Sequence, residues 1–531
     1  MARSVHTILA GVWARTRERV PNPTHVDSNA VAIDTRALAT FRIVAALLIV
    51  ADIFLRARNF TFLYTEEGVV PQSMAMEMTA ENAFSVYYFT TSSTVIAALF
   101  ALTVLVALQL LVGYKTRLAT VVAFLLVVSL DHHNPLVLSY ADVLFRLLLF
   151  WAIFLPLGER WSVDALHADV KPRATVSSLA SAAILAQMIF MYLLNGYHKT
   201  ESGLWTGGEA TPLILGLDNT TFFLGDFMRD FPMLLQFGGL TWYYILLFSP
   251  LLLVFRGRTR TLFAALFLGG HATFAITVRI GAFPYVAIAG LILFLPPSFW
   301  NDLESLFRAS PLTRLETYRD PLERAGSRLP TFRYDSPPVD RVRTGVYTVA
   351  LVVAVVSLLV VPALGHLPVA GFVDDDGGPE DRIDDRADVL SINQPPWTVF
   401  APHPRTTDRY YVFPAETEDG ETVDAYNGRE LTYDRPYDEL QKQFGTYRER
   451  FYMNDVRRGG PGDVVSETLA DHLCETWEDE HGTALTHINM YAVAEDVTLE
   501  TIDDPDDRDR DVTRFYEHGC GDNEPTAIDP P

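Results

Sequence analysis

The stretch VSSLASAAILAQMIFMYLLNGYHKT, residues 176–200, joins a long apolar run to a lysine at its end. The run matches the ~20 residues that a helix needs to cross a bilayer, which predicts a membrane-spanning helix over about 176–196. A desolvated amine can lose its proton, whereas a guanidinium effectively cannot, so Lys199 is a candidate catalytic base. The alternative is an interfacial lysine whose charge reaches the lipid headgroups.

Composition and charge divide the chain into two parts. The mean hydropathy of +0.15 is too high for a water-soluble protein of 531 residues. Residues 371–531 hold 40 of the 65 acidic and 14 of the 42 basic residues, a net charge of −26, whereas residues 1–370 are slightly basic. Acidic surfaces with arginine in place of lysine are typical of proteins adapted to high salt. The acidity argues against a nucleic-acid partner.

Eight further apolar runs predict a polytopic α-helical membrane protein of about nine transmembrane helices. Cations are concentrated in alternate loops. This predicts that the chain spans the cell membrane with its N-terminus on the cytoplasmic side and its C-terminal domain on the extracytoplasmic side. The predicted spans are about 37–55, 93–113, 118–131, 141–157, 176–196, 239–255, 261–278, 281–298 and 346–364.

These spans divide the chain into six segments and leave a small α+β domain outside the membrane. In that domain Asn427-Gly428 predicts a hairpin turn, residues 438–452 and 462–478 have helical character, and residues 487–493 predict a last strand. Cys474 and Cys520 either form a disulfide or are two free thiols. The segments are a cytoplasmic N-terminal segment (1–36), a transmembrane domain of about eight helices (37–300), a cytoplasmic loop (301–344), a ninth helix (345–365), an acidic linker (366–390) and an acidic extracytoplasmic α+β domain (391–531).

Ionisable residues lie within or at the ends of the predicted spans. His132, His133, Lys199 and Arg56 fall at the predicted outer ends, and His271 falls near mid-membrane. Such groups are functional candidates, and the alternative for each is an ordinary interfacial polar residue. Asp142 and Arg146 are four residues apart on one helix face, which predicts an ion pair inside the bundle.

Several motifs follow one another in a distinctive order over about residues 36–300. Together they resemble the vitamin K-dependent gamma-carboxylase family and its microbial relatives, which share the horizontally transferred transmembrane (HTTM) domain; the acidic surface resembles that of a haloarchaeal-type member. The motifs are Leu38–Ile43 with Asp52, Arg56, Tyr64, Gly68 and Pro71; His132–Pro135 through Pro156–Asp164; and His271 through Ile280–Tyr285 and Phe294–Pro296.

The resemblance implies a chemistry for Lys199. The Asn195–Lys199 segment falls where the family carries a paired-basic segment, so Lys199 takes the position of the catalytic base and His198 that of the first basic residue. In the family an amine deprotonates a reduced naphthoquinone of the vitamin K or menaquinone type. After reaction with oxygen, the resulting stronger base removes a gamma proton from a protein glutamate, carbon dioxide adds, and the quinone leaves as an epoxide.

The resemblance also implies supporting residues. His132, His133 and His271 join Lys199 as catalytic candidates, and Arg56, Asn134, His198 and Trp205 are candidate cofactor-binding residues. The family has asparagine before histidine where this chain has His132-His133-Asn134, so the assignment among these three residues stays open. The sequence has no zinc-ligand spacing, and no metal site is predicted.

Two classes of function follow from the sequence. One is a carboxylase (a lyase) or quinone epoxidase-type enzyme that acts on a protein or peptide substrate at the extracytoplasmic face. The alternative is a non-catalytic membrane protein that binds lipid or quinone, or anchors the outer domain for a partner. Both interpretations predict contact with membrane lipids.

Overall fold

The computed structural model describes residues 29–168, 170–310, 319–331, 337–365 and 387–530. Most of the predicted N-terminal segment (1–36) and of the predicted acidic linker (366–390) lies outside the described residues. The described chain folds into a helical part followed by a C-terminal domain, residues 387–530, that contains a β-sheet.

Ten long helices build the helical part and its C-terminal extension. They are α1 (Thr35–Ala57), α2 (Ser93–Val112), α3 (Thr116–His133), α4 (Tyr140–Ala152), α5 (Leu179–Lys199), α6 (Pro232–Leu247), α7 (Gly257–Thr277), α8 (Phe283–Ile292), α9 (Pro297–Ala309) and α10 (Pro337–Val355, continued by a π-helical turn, Val356–Val360, and by Val361–Gly365). Shorter helices are Phe60–Tyr64, Gln72–Glu77, Val163–Leu166, Gly203–Gly207, Ala210–Leu215, Leu224–Arg229, Leu251–Val254 and Arg319–Ser327.

Side-chain caps set where α4 and α5 begin. Ser178 and Ser181 form a reciprocal capping box at the start of α5, and Ser139 and Asp142 form another at the start of α4. These bonds satisfy backbone N–H groups that the first helical turn leaves without partners. The α5 cap fixes which residues of that helix face the bundle, because each residue turns the helix by a fixed angle.

Five helices are long and apolar enough to cross a membrane: Thr35–Ala57, Ser93–Val112, Thr116–His133, Leu179–Lys199 and Arg341–Ala363. A sixth span exists if α8 and α9, which meet at 100°, count as one. These spans coincide with six of the runs predicted from the sequence and make the chain a multi-pass membrane protein by length and composition. The number of nine spans and the orientation stay predictions.

The helices pack around α5, α8 and α1. α5 contacts α4 and α6, and α8 contacts α1, α4, α5 and α7. A short antiparallel pair, β1 (Ile33–Asp34) with β2 (Thr175–Val176), joins the segments that enter α1 and α5. α1 and α5 therefore start side by side, and their other ends meet the C-terminal domain.

The C-terminal domain is built on one long strand, β7 (Leu485–Asp496). β3 (Thr407–Val412) and β4 (Pro414–Thr417) pair with it on one side, and β8 (Arg510–Gly519) pairs on the other, all antiparallel. The predicted hairpin is confirmed, because β5 (Thr422–Asp424) pairs with β6 (Arg429–Glu430) around Asn427-Gly428. The strand β8 was not predicted, since its residues lack an alternating apolar pattern.

Two helices, α11 (Tyr447–Arg458) and α12 (Val464–His481), complete the C-terminal domain. α12 confirms the helical segment predicted at 462–478. The segment predicted at 438–452 is confirmed only over its last six residues, since α11 begins and ends later than predicted. Cys474 of α12 and Cys520, which follows β8, form a disulfide. Of the two alternatives that the sequence left open, the disulfide is therefore the one observed.

Candidate functional site

Lys199 is the last residue of α5 and is buried, with 1% of its surface exposed. Its position at a helix C-terminus is favourable for a cation, because the helix dipole is negative there. The side chain is buried inside the protein and does not extend over its surface as a snorkelling lysine would. It points instead toward a segment of the C-terminal domain.

The Lys199 amine contacts two carbonyl oxygens and an indole ring. Nζ donates to Val399 O at 2.8 Å and to Phe400 O at 3.2 Å, and it lies 3.9 Å from the centroid of the Trp205 ring. Within the described residues no carboxylate forms an ion pair with it. A buried amine in such surroundings lacks the counter-ion that would keep it permanently charged.

The segment Trp397–Phe400 closes over the end of α5, held by side chains of the helical part. Asn195 Nδ2 donates to Trp397 O at 2.7 Å and to Val399 O at 3.0 Å, and Trp205 Nε1 donates to Phe400 O at 2.8 Å. Trp397 itself is fully buried. The segment lies near the start of the predicted outer domain (391–531), but the sequence contained no sign that its carbonyls reach Lys199.

An apolar cavity of about 480 Å³ lies beside the amine, and we call it the Lys199 cavity. Its polar lining includes Tyr192, Asn195 and Lys199, which lie on one face of α5 and span about 10 Å along the helix axis. Its opposite wall is formed by α6 and α7. Exposed residues of these helices, including Leu234, Phe237 and Leu266, also line the cavity, so it is open to the surface of the protein at α6 and α7.

His271 reaches the same region through Tyr192. The Tyr192 hydroxyl is 2.8 Å from His271 Nε2, and both side chains are buried. His271 Nδ1 has no hydrogen-bond partner among the described residues. The predicted site residue His271 therefore stands behind Tyr192, which lines the cavity. Sequence reasoning missed Tyr192, although its spacing of seven residues from Lys199 places both on one helical face.

The three polar residues at the end of α3 contact other parts of the fold. His132 Nδ1 is 2.7 Å from Phe84 O and Nε2 is 2.6 Å from Ser391 Oγ. His133 Nε2 is 3.0 Å from Tyr64 O and its ring stacks on Tyr87. Asn134 Nδ2 donates to Leu63 O at 2.7 Å. These side chains hold loops at the end of the bundle, and none lines the Lys199 cavity.

Of the remaining predicted residues, Trp205 lies beside Lys199 at the cavity, whereas His198 and Arg56 do not. Trp205 lines the Lys199 cavity. The half-buried His198, next to Lys199 in sequence, does not line this cavity, and its ring lies 5.9 Å from that of Tyr197. Arg56 is buried in a separate network of charges.

That network surrounds a second cavity of about 470 Å³, which we call the Arg448 cavity. Arg56 bonds to Asp52 at 2.8 Å and to Asp131 at 2.6 Å. Arg448 of α11 bonds to Asp142 at 2.9 Å and also to Asp52. The predicted pair of Asp142 with Arg146 was wrong: Arg146 bonds to Asp131 instead, at 2.5 Å.

A further ionic contact fastens the C-terminal domain to the loop after α5. Arg508 lies 2.8 Å from Asp408 and 3.0 Å from Asp218. Burial opposes the charge of Asp218, yet the guanidiniums of Arg229 and Arg508 hold the pKa of that carboxyl below its ordinary value. The two parts of the chain are thus joined by buried charges at two places.

No cluster of three or more His, Cys, Asp or Glu side chains suited to a metal ion occurs in the described ranges. The HTTM domain model matches residues 31–300, just over half of the 531 residues. No curated protein and no solved structure matches the chain.

Proposed function

Because this chain belongs to the HTTM domain family, we propose that the Lys199 cavity binds a reduced naphthoquinone and that Lys199 is the base that deprotonates it. The observation that carries the proposal is a buried amine at the polar end of an apolar cavity, with no carboxylate partner in the part of the chain that the structure describes. Ligand sites of lipid-soluble rings have this character, with a few polar groups in a largely apolar wall.

The residues around the cavity fit a flat aromatic ring with two oxygen substituents. Asn195 and Lys199 supply polar groups at one end, and Tyr192 supplies a hydroxyl two turns earlier on the same helix. The aromatic rings of Trp205 and Trp242 provide surfaces for stacking. The opening between α6 and α7 gives a path from the lipid, where such a quinone dissolves.

A neutral Lys199 can keep its present contacts. An uncharged amine has two N–H bonds, which match the two carbonyl acceptors Val399 O and Phe400 O, and it keeps one lone pair to accept a proton. Once protonated, the ammonium is stabilised by the same carbonyls and by the face of Trp205. The site therefore supports both protonation states with little rearrangement.

The reduced quinone would supply an acidic hydroxyl and, after reaction with oxygen, a base strong enough to act on a glutamate side chain of a protein substrate. Lys199 takes the first proton. Tyr192 orients the ring by its hydroxyl, and His271 fixes the direction of that hydroxyl through the 2.8 Å contact. Carboxylation of a protein glutamate at the extracytoplasmic face is the further step that the family relationship suggests.

One observation favours a non-catalytic function instead. The Lys199 amine donates its hydrogen bonds to the carbonyls of Val399 and Phe400. The Asn195 side chain likewise donates to the carbonyls of Trp397 and Val399. Both side chains thus also fasten the C-terminal domain to α5. In this second candidate function the cavity binds a lipid or quinone and Lys199 is a structural residue.

Lys199→Arg separates the two functions. Arginine retains donors for the two carbonyls and cannot act as a base. We expect the purified wild-type protein to consume a reduced naphthoquinone, and Lys199→Arg to lose at least ~100-fold in rate while still binding the quinone. Lys171→Arg, on the surface, serves as the control. Equal rates in Lys199→Arg and wild type would refute the base, and binding without turnover in wild type would favour the second function.

A further inference from the structure

The Arg448 cavity lies between the helical part and the C-terminal domain, at the end of α1. Arg56 and Asp52 come from α1, Arg279 from the connection between α7 and α8, and Tyr447 and Arg448 from α11. It shares only Val278 and Ile280 with the Lys199 cavity, so this short segment separates the two. The ligand of the Arg448 cavity is therefore independent of the role of Lys199.

The acidic groups of the Arg448 cavity are already satisfied. Each oxygen of Asp52 and of Asp131 accepts from an arginine. Asp142 accepts from Arg448 through one oxygen and from the backbone and hydroxyl of Ser139 through the other. Because the carboxylates are occupied in this way, the cavity offers little to a cation.

Hydrogen-bond donors, in contrast, are left over. Nε of Arg448, a side chain that is 2% exposed, has no partner among the described residues, and the same holds for the Tyr447 hydroxyl. Four arginines and three aspartates line the cavity, which leaves an excess of positive charge. A buried donor without an acceptor is unfavourable, so these groups point to an anionic ligand that accepts hydrogen bonds.

The other side of the cavity is apolar and open. Leu48, Ala51 and Leu55 lie on one face of α1 and line the cavity, and Ala51 and Leu55 are exposed. α1 is one of the helices long and apolar enough to cross a membrane, so its exposed apolar face is suited to contact with lipid chains. The cavity thus joins an apolar, open wall to a group of guanidiniums.

We propose that the Arg448 cavity binds a phospholipid, with the phosphate against Arg448 Nε and the Tyr447 hydroxyl, and one acyl chain along Leu48, Ala51 and Leu55. Arg279, whose Nη1 and Nη2 donate to the carbonyls of Gln441 and Phe444, contributes positive charge to the phosphate site. Phosphate oxygens accept several hydrogen bonds and suit the planar donors of arginine. Phosphate is also available as the free ion, but the apolar wall selects the lipid. A lipid held there contacts both α1 and α11, and so joins the C-terminal domain to the bundle.

Ala51→Phe tests the proposal by filling the apolar wall. Ala57→Phe is the matched control, since Ala57 is exposed on the same helix and does not line the cavity. The full-length proteins are reconstituted in nanodiscs of phosphatidylglycerol or phosphatidylcholine, extracted in detergent, and weighed by native mass spectrometry. We expect about one phospholipid per chain in wild type and Ala57→Phe, and at least a tenfold loss of occupancy in Ala51→Phe.

Arg58→Gln provides a second variant that leaves the buried ion pairs intact, because Arg58 is exposed at the rim of the cavity. It should lower the retention of phosphatidylglycerol severalfold. Undiminished retention in both Ala51→Phe and Arg58→Gln would overturn the proposal. So would full displacement of the lipid by millimolar inorganic phosphate, which would assign the cavity to the free anion. Quinone turnover is measured separately, so a negative result for phospholipid binding does not affect the proposed role of Lys199 as a base.

Discussion

Arg448 of α11 and Asp142 of α4 are 306 residues apart in sequence and 2.9 Å apart in the structure. Arg448 also bonds to Asp52 of α1 and, through Nη1, to Val137 O. One side chain of the C-terminal domain thus contacts two helices and a loop of the helical part. Buried guanidiniums are tolerated only when paired, so this contact requires the two parts to be docked.

Replacement of Arg448 by Met should release that contact. The change leaves the carboxylates of Asp52 and Asp142 with fewer partners in a buried place, which costs about 3–5 kcal/mol. We expect a lower thermal unfolding temperature and faster proteolysis between the helical part and the C-terminal domain. Arg458→Met, which removes an exposed pair with Asp455, should change stability by less than ~0.5 kcal/mol. Similar losses in the two variants would contradict a special role for Arg448.

The disulfide should contribute separately to the stability of the C-terminal domain. Cys474 and Cys520 are 46 residues apart. A disulfide that closes a loop of this length reduces the conformational entropy of the unfolded chain, which raises the free energy of the unfolded state by about 4 kcal/mol at room temperature. We expect the double variant Cys474→Ser, Cys520→Ser to unfold at lower denaturant concentration, as followed by circular dichroism. Dithiothreitol should destabilise wild type and leave the double variant unaffected; an effect on both would point to another cause.

Patterns within short segments predicted much of this fold. The apolar runs predicted α1, α2, α3, α5 and α10, and Asn427-Gly428 predicted the hairpin, because both signals depend on residues close in sequence. Buried charges were harder to predict. Asp142 and Arg146 share a helix face, yet each pairs elsewhere, since the partner of a buried ion is decided by which helices meet.

The candidate site was predicted only in part, because contacts between distant segments cannot be inferred from one segment alone. Lys199 stood out by residue type and position, and its neighbour Trp205 lies on a nearby stretch of chain. His132 and His133 were grouped with Lys199 by their predicted membrane depth and by the family resemblance. The structure places them at the end of α3, away from the Lys199 cavity, since depth alone does not say which helix ends touch. The Trp397–Phe400 segment could not be assigned to Lys199, because backbone carbonyls carry no sequence signal.

Tyr192→Phe should show whether the hydroxyl matters for more than packing. It removes the partner of the buried His271 Nε2, which costs about 1–2 kcal/mol of unfolding free energy. If Tyr192 also orients the quinone, the turnover rate should fall by a larger factor than the affinity for the quinone. Tyr197→Phe, an exposed position on the same helix, is the control. A stability loss with unchanged turnover would limit Tyr192 to a structural role.

Two adjacent glycines of α7 offer a test of the Lys199 cavity itself. A Cβ atom at Gly270 would lie 2.5 Å from Trp242 Cζ3, whereas one at Gly269 would meet nothing within 4 Å. Gly270 and Trp242 both line the cavity. Gly270→Ala must therefore displace the indole or the helix, at a cost of about 1–3 kcal/mol.

We expect Gly270→Ala to weaken the binding of a naphthoquinone such as menadione about tenfold, measured by quenching of tryptophan fluorescence. Gly269→Ala should bind as wild type does and gain up to ~1 kcal/mol of stability, because alanine favours the helix more than glycine does. The pair separates a change of cavity shape from a change of helix propensity. Equal affinities in the two variants would mean that the naphthoquinone binds somewhere other than between Trp242 and α5.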